Sequence, residues 1–291
     1  MALAMSYTLG VLGGSGLYEM DGLRDVSEVD IDTPFGRPSD VLVKGTLDDG
    51  TTLLFLPRHG RGHKVPPHGI NYRANVCALK KAGATHLVSV SAVGSMKEEI
   101  EPGHLVVPDQ FIDLTKKRVS TYFEDGIVGH VPFAEPTCKL LGAALGDAAD
   151  RAGARVHRGG TYVCMEGPQF STRAESLLYR TWKVSVIGMT SMPEAKLARE
   201  AELPFATLAL ATDYDCWHDD HDAVTVEQVV ATIKKNVAFA KKTLVELAGR
   251  LPDPMKSIAW RATKGAIMTS PNAVTPDARA RLGWLLSDFL G

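Results

Sequence analysis

The sequence predicts a single α/β layered domain. Short apolar runs of strand length alternate with segments of helical apolar spacing from Tyr7 to Leu247, the pattern of helices layered on a sheet. No repeat, low-complexity tract or flexible linker breaks that alternation before Leu251. A third observation gives the domain a working edge. Strands run into short polar or glycine-bearing loops at Ser15, Arg58, Ser91, Phe170, Thr190 and Asp213. Ligand chemistry gathers where the strands of an open α/β sheet end, so these loops converge on one pocket if the strands share a sheet.

Taken in order, Tyr7–Leu12 reads as a buried strand entering Gly13-Gly-Ser-Gly16. Val41–Leu47 and Thr51–Leu56 are strands joined by Asp48-Asp49-Gly50, a hairpin signal. The second of them ends at the basic, glycine-rich loop Pro57–His63. Tyr72–Ala82 is a helix stopped by Gly83. His86–Ser91 is a strand ending in Ala92-Val-Gly-Ser95, and Leu105–Val107 is halted by Pro108-Asp109. Pro136–Ala152 is helical up to Gly153. Thr161–Met165 is a strand closing on Glu166–Thr172, and the helix that follows carries Arg173 and Glu175, expected to support the loop by ion pairing. Val184–Met189 leads into Thr190–Glu194 and a short helix. Pro204–Ala211 is a strand of small and apolar residues, and Val226–Leu247 a long helix. Past Pro252, the prolines Pro254, Pro271 and Pro276 mark a segment draped over the domain that finishes as a helix near Arg279–Leu290.

Composition narrows the partners. The chain has 291 residues, 45% hydrophobic and 23% charged, with a formal charge of −2. That balance gives no electrostatic reason to expect nucleic acid or an anionic membrane, and no apolar stretch is long enough to span a bilayer. The start, Met1–Met5, has neither the basic head nor the apolar run of a signal peptide. Cys77, Cys138, Cys164 and Cys216 form no C-x-x-C pair, which suits a reducing cytoplasm and argues against a disulfide framework or a cysteine zinc site. Neither His218-Asp-Asp-His221 nor the group His59, His63 and His68 is expected to hold a metal.

Leu208-Ala-Leu-Ala-Thr-Asp-Tyr-Asp-Cys-Trp217 is the most informative stretch. A buried strand ends abruptly in Thr212 and two carboxylates, Asp213 and Asp215. A carboxyl group there, half out of water, has its pKa raised and serves as a proton donor near neutral pH. The same residues also suit a helix cap or a turn, and the local sequence does not choose. Gly13-Gly-Ser-Gly16 offers backbone N–H groups and a hydroxyl, the equipment of an anion nest, but neither a P-loop nor a dinucleotide fingerprint. Arg58 and His59 add donors suited to a phosphate-sized anion. Ser91-Ala92 and Thr190 add more hydroxyls and amides. Each cluster alone also fits an ordinary turn; together they point to an oxyanion site. Phe170 offers an aromatic face for a planar ring, or a core contact.

The motifs Gly13-Gly-Ser-Gly-Leu17, Asp32-Thr-Pro-Phe-Gly-Arg-Pro-Ser39, Arg58-His-Gly60, Asn71-Tyr-Arg-Ala-Asn75, Glu166-Gly-Pro-Gln-Phe170, Met189-Thr190, Pro193-Glu194 and Ala211–Trp217 resemble the 5′-methylthioadenosine phosphorylases, of the trimeric class of purine nucleoside phosphorylases. The resemblance runs in order from about Tyr7 to about Leu247. It implies a nucleoside phosphorylase-like domain over 7–250 with a central mixed, partly barrel-like sheet flanked by helices. Residues 251–291 are then an extension packed on the same domain. It implies a homotrimer with sites near subunit boundaries.

The resemblance also assigns residues. Ser15, Arg58, His59, Ser91, Ala92 and Thr190 would hold phosphate, Ser15 and Ser91 standing where relatives often have Thr. Met189 would lie against the ribose, with Phe170, Asp213 and Asp215 around the purine. Val226, Val229 and Val230 would floor the methylthio pocket, with His130 reaching in from a neighbouring subunit. Gly188 stands where some relatives carry Asn, so it offers no side-chain contact.

The implied reaction is phosphorolysis of 5′-methylthioadenosine to adenine and 5-methylthioribose 1-phosphate, a step of purine and methionine salvage. It needs no metal or organic cofactor, and phosphate is a co-substrate. Asp213 is the expected general acid, with Asp215 beside it. Rival readings are a methylthioinosine or general purine nucleoside phosphorylase and, in another class, a non-catalytic purine-binding protein. The last would be marked by loss of Arg58, His59 or Asp213, and all three are present.

Overall fold

The computed structural model describes residues 7–290 except 15, 18 and 219–225, and gives the backbone course alone for 226–230 and 288. The strands are β1 (Thr8–Gly13), β2 (Arg24–Val29), β3 (Leu42–Thr46), β4 (Thr52–Pro57), β5 (His86–Ser95), β6 (Leu105–Val107), β7 (Gln110–Asp113), β8 (Val156–Arg158), β9 (Thr161–Cys164), β10 (Val186–Gly188) and β11 (Phe205–Tyr214). The helices are α1 (Tyr72–Lys81), α2 (Lys139–Arg151), α3 (Arg173–Thr181), α4 (Ser191–Glu200), α5 (Val226–Ala248) and α6 (Pro276–Leu290).

All eleven strands join one mixed sheet in the order β2-β3-β4-β1-β5-β10-β9-β7, with β11, β6 and β8 continuing from the other edge of β5. β1 runs parallel to β4 and β5, and β5 parallel to β11, whereas β10 meets the end of β5 antiparallel. The two arms that leave β5 approach each other again at Gly160, whose carbonyl accepts from the N–H groups of Asp109 and Gln110. This return is the partial barrel closure.

The period of two along the strands sorts the core into two layers. Leu54 and Leu56 of β4 face α1, α4 and α6 through Tyr72, Leu79, Leu197 and Leu282. Leu53 and Phe55 of the same strand face α2 and α5 through Leu141, Leu145, Leu244 and Leu247. Both faces being covered explains why these strands read as continuous apolar runs. The C-terminal segment is fastened at several places, among them the first core and a bridge at Gly129. Val274, Ala278 and Leu286 sit in the first core, and Ile267 bridges Gly129 beside a bond from His130 N–H to the Ala266 carbonyl.

Several boundaries differ from the sequence reading, each for a physical reason. β5 runs on to Ser95 because β11 pairs with it as far as Tyr214, so Ser91 and Ala92 stand within the strand rather than beyond it. β11 continues through Thr212 and Asp213, which therefore neither cap a helix nor form a turn. α2 begins at Lys139, with Cys138 extended before it. Glu175 serves by closing a capping box with Thr172 at the start of α3. β2, β7 and β8 had no strand signal: β2 is exposed along most of its length, and β8 is only three residues long.

Candidate active site

The site begins with a defect in β11. Ala211 pairs with Val93 and Asp213 with Gly94, so Thr212 is an extra residue bulged out of the ladder. A bulge re-aims the side chains that follow it, here Asp213 and Asp215. Gly94 leaves room for them: a Cβ on it would stand 3.3 Å from Asp213 Oδ1 and from Asp215 Cβ. The Thr212 hydroxyl donates to Asp213 Oδ2 at 2.6 Å, fixing one carboxylate oxygen. Asp215 is buried and accepts the Ser176 hydroxyl at 2.5 Å, so the capped helix α3 positions the second carboxylate.

These carboxylates line a cavity of about 470 Å³ together with Arg58, His59, Ser91, Ala92, Phe170, Met189 and Thr190. The convergence expected from the strand ends is therefore real for every predicted residue except those named below. Ser15 lies outside the described residues, although its neighbour Gly14 borders the cavity. The side chains of Val226, Val229 and Val230 also lie outside them; Ile233, two turns into the same helix, lines the cavity. His130 is exposed and is not among the residues lining this chain's cavity.

Arg58 sits where β4 ends, and its backbone N–H bonds to the Gly13 carbonyl of β1. Its guanidinium is buried and held almost entirely from within. Nε donates to Glu194 Oε1 at 2.7 Å, Nη1 to the Val90 carbonyl at 2.6 Å, and Nη2 to the Leu12 carbonyl at 2.9 Å and Ser89 Oγ at 2.8 Å. Ser89 passes its own hydrogen to Glu194 Oε2 at 2.6 Å. Among the described residues the second Nη1 hydrogen has no acceptor, and that hydrogen is what Arg58 can offer an anion. Its charge is already balanced by Glu194, with both side chains at most 3% exposed.

His59 follows, with Nδ1 2.8 Å from the Val65 carbonyl and its ring stacked on His63 at 4.2 Å between centroids. Burial, reinforced by the Arg58 charge, brings its pKa down to about 4. Nearby, Ser91 Oγ and Thr190 Oγ1 lie 3.0 Å apart, and Tyr162 Oη is 3.3 Å from Ser91 Oγ.

The remaining walls are set by a residue the sequence reading did not single out. Arg118, its side chain fully buried, donates to the carbonyls of Met189 at 2.6 Å, Met192 at 2.7 Å and Glu166 at 2.7 Å, and to Glu166 Oε1 at 2.8 Å. One planar fork thus ties the loop after β9 to the turn after β10. Phe170, on that first loop, is 81% exposed in the single chain. Glu194, Tyr162, Ser176 and Ile233 were likewise unassigned from sequence. Among the described residues no group of three or more His, Cys, Asp or Glu side chains is arranged for a metal ion. His218 instead stacks on Tyr214, and His221 lies outside the described residues.

The chain that carries this cavity is similar to known proteins in both sequence and fold. Residues 8–248 match the model of the phosphorylase superfamily. The S-methyl-5′-thioadenosine phosphorylase of Geobacter sulfurreducens is 54% identical over 287 residues, spanning 98% of this chain and 100% of that protein. A methylthioadenosine phosphorylase from an antarctic soil metagenomic library has a solved structure similar to this one with a TM-score of 0.92 at 46% identity, over 97% of this chain and 99% of that one. A variant of the adenosine/methylthioadenosine phosphorylase of Schistosoma mansoni, solved with methylthioadenosine, has a TM-score of 0.81 at 33% identity, over 97% of this chain and 98% of that one. The family model and the relatives both span most of the chain, and this chain belongs to the phosphorylase superfamily.

Proposed function

We propose that this chain catalyses phosphorolysis of 5′-methylthioadenosine, releasing adenine and 5-methylthioribose 1-phosphate. The observation that carries the reading is the single cavity lined both by Asp213 and Asp215 and by a cluster of oxyanion donors, in a chain matched along its length by enzymes of that name.

The chemistry follows from the two ends of the cavity. Cleaving the glycosidic bond builds positive charge on the ribosyl ring. Adenine is a poor leaving anion unless its N7 is protonated, the task assigned to Asp213. Thr212 steadies Oδ2 of that carboxyl group. Phosphate, bound by Ser15, Arg58, His59, Ser91, Ala92 and Thr190, attacks C1′ from the opposite face at bound range. Because the Arg58 charge is balanced by Glu194, the negative charge of phosphate remains available to the ribosyl cation. Carboxylates accept from the 6-amino group of adenine, whereas a 6-oxo group would face them acceptor to acceptor, at a cost on the order of 1–3 kcal/mol. Met189 would lie on the ribose and Phe170 on the purine, with Val226, Val229 and Val230 beneath the methylthio group.

The same reading makes the enzyme a cytoplasmic homotrimer in which His130 serves a neighbouring subunit. Residues 7–250 form the catalytic domain and 251–291 an extension on it. No metal or organic cofactor enters, since proton donation and phosphate attack require none. Among the described residues no helix is long and apolar enough to cross a membrane. The test is incubation with methylthioadenosine, methylthioinosine, adenosine and inosine, with and without phosphate. Phosphate-dependent release of adenine from methylthioadenosine is expected. Equal release without phosphate would make the protein a hydrolase, and preference for the inosine series would make it a 6-oxopurine enzyme.

A further inference from the structure

We propose that His59 selects the attacking oxyanion by its hydrogen: Nε2 accepts a hydrogen bond from a P–O–H group, so the site takes phosphate in preference to an anion of the same shape that carries no hydrogen. The proposal rests on the phosphorolysis reading above and adds to it the protonation state of the co-substrate.

Three observations support it. A carbonyl oxygen can only accept, so the 2.8 Å contact of Nδ1 with the Val65 carbonyl places the ring hydrogen on Nδ1. A neutral imidazole has a single N–H, and Nε2 is then a lone pair. With Nδ1 committed, Nε2 is the ring nitrogen that His59, a cavity-lining residue, has left to offer.

The surroundings keep the ring neutral. It is mostly removed from water, the charges acting on it are the guanidinium groups of Arg58 beside it and Arg118 from the loop after β7, and the His63 ring is stacked on it. Glu194, the carboxylate paired with Arg58, is already engaged by Arg58 and Ser89. Before an anion enters, a protonated His59 would therefore add positive charge beside Arg58 with Glu194 already engaged.

The consequence is a chemical filter. Phosphate keeps at least one hydrogen at neutral pH, and sulfate keeps none. The remaining phosphate oxygens can accept from Arg58, Ser91 and Thr190, while its O–H meets the Nε2 lone pair. Sulfate sets an oxygen lone pair against that nitrogen and leaves a buried acceptor unsatisfied. Such a mismatch weakens binding on the order of 10- to 100-fold.

The experiment measures the KM for inorganic phosphate and the competitive inhibition constant of sulfate at pH 7.5, in the full-length protein and in His59→Gln. The amide of Gln supplies a donor as well as an acceptor. Wild type should bind sulfate at least about 10-fold more weakly than phosphate, and the ratio in His59→Gln should fall towards one even if both anions bind less well. Equal affinity of the wild type for the two anions overturns the proposal, as does a ratio unchanged in the variant. If His59→Gln does not fold, the wild-type ratio decides alone. Adenine release that needs no phosphate is a different failure, that of phosphorolysis, and it takes the proposal with it.

Discussion

The hydroxyl of Tyr162 fills the space that a side chain on Gly188 would need. A Cβ built on Gly188 overlaps that hydroxyl and stands 3.1 Å from Val93. The missing side chain at 188 is thus the condition for a tyrosine whose hydroxyl lies beside Ser91, itself paired with Thr190. Gly188→Ala should displace Tyr162, lower stability by about 1–3 kcal/mol through overpacking and raise the phosphate KM. Adding Tyr162→Phe should restore part of the stability, because the overlapping oxygen is gone, but not the phosphate KM. Thermal melts and phosphate titrations of the single and double variants check this. A Gly188→Ala protein with unchanged melting temperature and KM would mean the two positions are not coupled.

Arg118 acts at a distance from the reacting atoms. Its fork holds the carbonyls of Glu166, Met189 and Met192 at once, and lysine cannot reproduce that planar geometry. Arg118→Lys should destabilise the fold by on the order of 2 kcal/mol, through buried acceptors left without donors. It should raise the KM for the nucleoside more than the KM for phosphate, because both loops it ties carry nucleoside residues, Phe170 and Met189, and only one carries a phosphate residue, Thr190. A uniform loss in both constants would instead indicate general unfolding.

Glu200 gives a pH prediction. The buried carboxyl accepts from the Tyr122 N–H at 2.6 Å and the Thr121 hydroxyl at 2.7 Å. Burial, aided by the nearby Glu124 charge, outweighs those bonds and raises its pKa from 4.5 to about 7. The folded state therefore holds a proton that the unfolded chain releases at lower pH. Its contribution is complete below the unfolded pKa and is lost as pH rises through the folded one, a change on the order of 3 kcal/mol. Glu200→Gln can keep both bonds without titrating. Its stability in urea should vary less between pH 5 and pH 8 than that of the wild type, and identical profiles would remove Glu200 as the source.

How far the sequence could be read depended on range. Runs such as Leu53–Leu56 announced their strand, because both faces of it are covered by helices. β2 was silent since an exposed edge strand, Arg24–Val29, has no apolar periodicity to display. Arg58, Ser91, Thr190 and Asp213 were legible as donors and acceptors at the ends of apolar runs. What those side chains touch was not. Glu194 lies 136 positions from Arg58, and no local pattern says that their charges cancel. The Thr212 bulge depends on where β11 meets Gly94 of β5, a register that neither strand encodes alone. Arg118 follows Lys116-Lys117 with no pattern that sets it apart, and only the fold turns it inward.

In the proposed reaction Asp213 hands a proton to the departing base while phosphate waits on the other face of the sugar. Steady-state turnover of methylthioadenosine by Asp213→Asn, with phosphate saturating and adenine affinity measured alongside, tests it most directly. A fall in kcat of about 10²-fold or more is expected, far larger than the change in adenine affinity. A kcat near that of the wild type would contradict it.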